Sequence, residues 1–124
     1  MSPPAMAARA RVLVVDDEPL MSVALKRALR GRYDIVAVSG AAQALDLLAS
    51  DRFDIILTDW FMPNMSGGEL YQAIKTRFPQ LVRRVIFMTG GAKVDEGLRC
   101  LSKPFDMAQM ERLFAEATSM MPVG

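Results

Sequence analysis

A chain of 124 residues, 52% apolar and 23% charged, is long enough for one globular domain with a real core and too short for two. Fifteen Lys and Arg against fourteen Asp and Glu leave a net charge of +1, so no basic field draws nucleic acid directly; no apolar run approaches the ~20 residues of a membrane span. The absence of histidine removes the commonest general base and zinc ligand, any phosphohistidine carrier and every hydrolase triad built on histidine, while the one cysteine, Cys100, closes no internal disulfide.

Residues 1–9 read as a flexible tail. The opening MSPPAMAARA lacks the apolar core of a signal peptide, so the expected location is the cytoplasm. RVLVV (11–15) is an apolar run of strand length, followed at once by Asp16-Asp17-Glu18. Pro19 suits a first helical turn, Met21, Ala24, Leu25, Ala28 and Leu29 fall on one face, and Gly31 is a stop. The pattern repeats with strand DIVAV (34–38), Ser39 as the expected N-cap, and a helix carrying Ala41, Ala44, Leu45, Leu48 and Ala49. FDIILT (53–58) is the third strand. Gly67-Gly68 opens a third helix with Leu70, Ala73, Ile74 and Phe78, closed by Pro79. RVIFMT (84–89) and RCLS (99–102) are the fourth and fifth strands. The last helix starts at Asp106 as cap with Gln109 in the capping-box position, and buries Met107, Met110, Leu113, Phe114 and Ala117. The ten methionines read as core filler. Strands alternating with amphipathic helices predict an α/β fold with a parallel sheet covered on both faces, since parallel strands need crossovers.

In such a sheet, side chains leaving the carboxyl ends of the strands converge on one crevice. Here those ends carry Asp16 and Asp17, Asp59, Thr89 and Lys103. Each alone has an ordinary explanation: Asp17 could cap the first helix, Thr89 be a plain strand residue, Lys103 a solvated cation. Carboxylates brought together repel by kilocalories at intermediate dielectric, so the cluster needs a cation or a proton. A hard divalent ion with oxygen ligands satisfies it, and Mg²⁺ is the ion most often used with phosphoryl groups. Lys103 is then a point-charge partner for Asp59 or for a phosphate oxygen, and the Thr89 hydroxyl can bind another oxygen. A carboxylate so placed can attack phosphorus to form an acyl phosphate.

VVDDEP, TDWFMP, MTGG and SKPF, in this order at these strand ends, resemble the receiver domain of two-component response regulators, of the kind found in chemotaxis regulators, with the domain running over residues 10–120 and a tail at 121–124. The resemblance implies a flavodoxin-like five-stranded sheet of order 2-1-3-4-5. It implies that Asp59 is the phosphoacceptor, that Asp16 and Asp17 hold Mg²⁺ with Asp59 and the main-chain carbonyl of Phe61, and that Thr89 and Lys103 bind phosphoryl oxygens. It further implies a sensor histidine kinase or histidine phosphotransfer protein as donor, output by protein contact, and no enzymatic activity beyond the domain's own phosphorylation and dephosphorylation. The MTGG and SKPF wording resembles receivers attached to hybrid sensor kinases.

Two features depart from that pattern. Fourteen positions separate Thr89 from Lys103, and GAKVDEGL supplies at most about two helical turns, so the helix between the fourth and fifth strands is expected to be shortened or missing. The sheet surface this exposes is a candidate for homodimerisation. The switch aromatic that the resemblance implies three positions before the lysine is replaced by Cys100. A pseudo-receiver, an interaction module that works without phosphorylation, is therefore the alternative reading. An aspartyl phosphatase fits less well, because its two acids would stand two residues apart after the first strand. Gly-Gly at 67 and 90 matches neither phosphate-loop fingerprint.

Overall fold

The computed structural model describes residues 10–90, 98–103 and 106–119. Five strands, β1 (Arg11–Val15), β2 (Asp34–Val38), β3 (Ile55–Asp59), β4 (Val85–Thr89) and β5 (Arg99–Ser102), form one sheet of order β2-β1-β3-β4-β5. Every neighbouring pair is parallel. The helices are α1 (Pro19–Leu29), α2 (Ala41–Ser50), α3 (Gly67–Arg77) and α4 (Met107–Ser119), with a 3₁₀ segment at Pro79–Arg84 leading into β4. No helix among the described residues is long and apolar enough to cross a membrane. The shortened helix expected between β4 and β5 falls on residues 91–97, outside the described residues.

The strands are apolar throughout because both faces are covered. Side chains alternate across a strand, so Val12 and Val14, with Ile55, Leu57, Ile86 and Met88, face α1 and α4 and meet Leu25, Leu29, Met110 and Phe114. Leu13 and Val15, with Ile56, Val85 and Phe87, face α2 and α3 and meet Leu45, Leu48, Leu70 and Ile74. Met88 and Met110 are fully buried, as the filler reading expects. The helical stripes are narrower than the spacing predicts. Ala24, Ala28 and Ala49 are exposed, whereas Leu25 and Leu29 of α1 and Ala41, Ala44, Leu45 and Leu48 of α2 are the buried members.

Several boundaries differ from the expectation. Gly40, not Ser39, caps α2; the Ser39 hydroxyl and amide instead donate to the Gln43 side-chain oxygen, which fixes the loop one residue earlier. β3 starts at Ile55, since Asp54 is used as a pin: its carboxylate accepts from the Arg11 amide at 2.9 Å and lies 3.7 Å from Arg84. Gly31 ends α1 at φ +86°, as a stop requires. Asp106 caps α4 by accepting from the Ala108 amide. The strands thus start at a pinned edge and all end on the opposite one.

Candidate functional site

That opposite edge gathers the sequence-predicted groups. Asp16 follows β1, with its amide tied to the Val38 carbonyl of β2 at 3.1 Å. Asp59 is the last residue of β3 and Thr89 the last of β4, on adjacent strands. Lys103 follows β5, and its amide donates to the Thr89 carbonyl at 2.8 Å, which locks the β5 end beside β4. Carboxylate oxygens of Asp16, Asp17 and Asp59 lie within 4.8 Å of one another. The Lys103 Nζ stands 3.3 Å from Asp59 Oδ2 and 3.8 Å from Asp16 Oδ2.

Burial sharpens the electrostatics. Asp16 is 1% exposed, Thr89 1% and Asp59 8%, whereas Asp17 is exposed. Asp17 does not cap α1; the N-cap is Glu18, whose carbonyl accepts from Met21 and Ser22. Asp16 uses Oδ1 to accept from the Glu18 amide at 2.8 Å, and Oδ2 is buried without a hydrogen bond. Burial pushes the Asp16 carboxyl above its ordinary value; the Glu18 amide and Lys103 pull it back, and the Asp59 and Glu18 charges add to the rise. Three carboxylates against one ammonium leave two formal negative charges uncompensated. An all-oxygen donor set with that deficit and an orphaned buried oxygen fits a hard divalent cation.

The turn after β3 is built to hold the acid in place. The Phe61 amide points at Asp59 Oδ1 from 3.4 Å, so the Phe61 backbone sits on the rim of the cluster. Asn64 takes φ +72°, a left-handed conformation that Asn tolerates better than bulkier residues. Gly67, the first residue of α3, donates to the Trp60 carbonyl at 2.8 Å. A Cβ on Gly67 would lie 2.3 Å from the Asp59 carbonyl oxygen, so only glycine lets α3 start this close to the acid. From the sequence, Gly67 reads only as a helix opener. A Ser66–Glu69 capping box starts the same helix, and Ser-x-x-Glu ahead of apolar positions is its signal in the sequence.

Two strands meet beside the cluster through Cys100. Burial pushes its thiol up, and the Thr89 hydroxyl, by donating a hydrogen bond to the sulfur, pulls it down.

A family model for the response regulator receiver domain matches residues 12–114. The chain belongs to the response regulator receiver domain family. This receiver domain is 35% identical over 115 residues to the response regulator protein FleR of Pseudomonas aeruginosa, covering 86% of its own length and 24% of that protein. It is 35% identical over 120 residues to the DNA-binding transcriptional regulator NtrC of Escherichia coli, covering 90% and 25%. It is 32% identical over 124 residues to the sensor histidine kinase TmoS of Ectopseudomonas mendocina, covering 92% and 12%. The receiver domain therefore spans a quarter or less of these relatives, which include both a DNA-binding regulator and a kinase. Among solved structures, the signal receiver domain of an HD domain-containing protein from Pseudomonas fluorescens superposes with a TM-score of 0.81 at 28% identity, covering 91% of this chain and 97% of that one.

Proposed function

We propose that this receiver domain accepts a phosphoryl group on Asp59. The observation that carries the reading is the meeting of three carboxylates within 4.8 Å beside the Lys103 ammonium. Asp16, Asp17, Asp59 and the Phe61 carbonyl would hold Mg²⁺, which when bound offsets the charge of the carboxylates and of the incoming phosphoryl oxygens. An Asp59 oxygen attacks phosphorus, the bond from phosphorus to the donor nitrogen breaks, and its electron pair leaves on the donor imidazole. Lys103 and the Thr89 hydroxyl take up the oxygens of the transferred group. No histidine is present in this sequence, so the phosphoryl group comes from outside it, from a sensor kinase or phosphotransfer protein or from a small phosphodonor. Leu20 and Phe61, 82% and 61% exposed, flank the acids and give such a partner apolar footing. Output passes by protein contact at the β4–β5 side, to a partner or to a second copy; a monomer throughout the micromolar range by light scattering argues against the second copy.

Acetyl phosphate or a phosphoramidate with Mg²⁺ tests the reading by intact mass. One added phosphoryl group is expected on the unmodified protein and none on Asp59→Asn. No adduct on the unmodified protein would favour the phosphorylation-independent interaction module.

A further inference from the structure

Thr58 stands on β3 one position before Asp59 and is fully buried. A buried hydroxyl has to find an acceptor, and this one donates to the carbonyl of the next residue, Asp59, at 3.1 Å. The pairing of β1 with β3 ends at Val15 opposite Thr58, so the Asp59 carbonyl lies just past the end of that ladder. At the other atom of the same peptide unit, the Trp60 amide donates to the Met88 carbonyl of β4 at 2.9 Å. The peptide between Asp59 and Trp60 is therefore held at its oxygen by a side chain and at its nitrogen by β4. Packing alone does not ask for the hydroxyl. Ile56, two residues back on the same face of β3, is a plain apolar core residue, and valine would fill the shape of Thr58.

A peptide unit is planar, so holding its two polar atoms sets the direction in which the chain leaves Asp59. That direction brings the Phe61 amide to 3.4 Å from Asp59 Oδ1 and the Trp60 carbonyl to the Gly67 amide at 2.8 Å. We propose that Thr58 is a positioning residue for phosphoryl acceptance: its hydroxyl holds the Asp59–Trp60 peptide in the orientation that aims the Asp59 carboxylate and the Phe61 backbone at the acid cluster. Thr58 acts through the Asp59 backbone, and the inference rests on the reading of Asp59 as acceptor. Without the hydroxyl the peptide keeps its tie to β4 and loses the one at its oxygen, so the carboxylate is less well aimed in a strand that is still formed.

The test sets binding against stability. Binding is the affinity of the whole chain for beryllium fluoride with Mg²⁺, a stand-in for the phosphoryl group, read by fluorine NMR and by fluorescence of Trp60, the only tryptophan. Stability is read by urea unfolding without either ion. Thr58→Val keeps the branched shape, removes the donor, and is expected to weaken binding about two- to tenfold, the factor that one hydrogen bond is worth net. Thr58→Ser keeps the donor and is expected to bind as the unmodified protein does, although the loss of a buried methyl makes it less stable to urea. Binding and stability are thus expected to rank the two variants differently. A valine variant that binds as the unmodified protein does, or affinities that simply follow the urea midpoints, would overturn the positioning role and leave Thr58 a packing residue. Should the valine variant not fold, Thr58→Ala against Thr58→Ser makes the same comparison, and equal affinities overturn the proposal. Failure of the unmodified protein to bind beryllium fluoride overturns the acceptor reading and the positioning role together; binding that the loss of the hydroxyl leaves unchanged overturns the positioning role alone.

Discussion

Asp16 shows at the residue scale why the site needs a cation. Its carboxylate is buried, with one oxygen bonded to the Glu18 amide and the other facing Lys103 from 3.8 Å. Asp17, Asp59 and Glu18 crowd it with like charge. Desolvation outweighs the help from Lys103, so the folded state holds the Asp16 proton more tightly than the unfolded chain does. The resulting stabilisation is complete below the ordinary carboxyl value of 3.8 and is lost as pH rises through the higher folded value. Asp16→Asn, which carries no such charge, is therefore expected to gain stability relative to the metal-free unmodified protein as pH climbs through that window. Urea melts of both across pH measure it. At neutral pH the variant is expected to melt about 3–5 °C higher, the shift that on the order of 1 kcal/mol produces at this size. A lower melting temperature would mean that the Lys103 pair outweighs the desolvation. The identity of Asp16 was legible from DDEP; its burial and its orphaned oxygen were not, because both depend on β2, β3 and β5 closing around it.

At the scale of elements, the third crossover places the acceptor. β3 delivers Asp59, Asn64 turns the chain, and α3 starts against the Asp59 carbonyl because position 67 has no side chain. Gly67→Ala forces the backbones apart, with an expected cost of about 1–3 kcal/mol as for other overpacked sites. Ser66→Ala removes one half of the capping box and costs about 1 kcal/mol. Denaturant unfolding reads both losses, and only the glycine variant is expected to weaken beryllium fluoride binding as well, since only it displaces the Asp59 backbone. Equal binding by the two variants would separate Gly67 from the site. The Gly-Gly pair and Ser-x-x-Glu were visible as helix-start signals. The reason for glycine was not visible, because the atom it makes room for is eight residues earlier and on another element. Ser39 misled for a related reason: a serine before a helix is a capping signal, but here Gln43 competes for it.

For the molecule as a whole, a ligand that binds only the folded state raises its stability by mass action, by about 1.4 kcal/mol at ten times the Kd. Millimolar Mg²⁺ is therefore expected to raise the melting temperature of the unmodified protein, a chelator to reverse the rise, and Asp16→Asn and Asp17→Asn to abolish it. An unchanged melting curve at every Mg²⁺ concentration would remove the metal from the site. The sequence by itself determined the element order, the parallel sheet and the residues at the strand ends, because hydrophobic periodicity and turn chemistry are local and a covered parallel sheet forces its carboxyl ends to one side. Only the tertiary structure decided which helical alanines stay in water and why position 67 must be glycine. Those facts are distances between separate elements, and no local pattern encodes a distance until the sheet has brought the elements together.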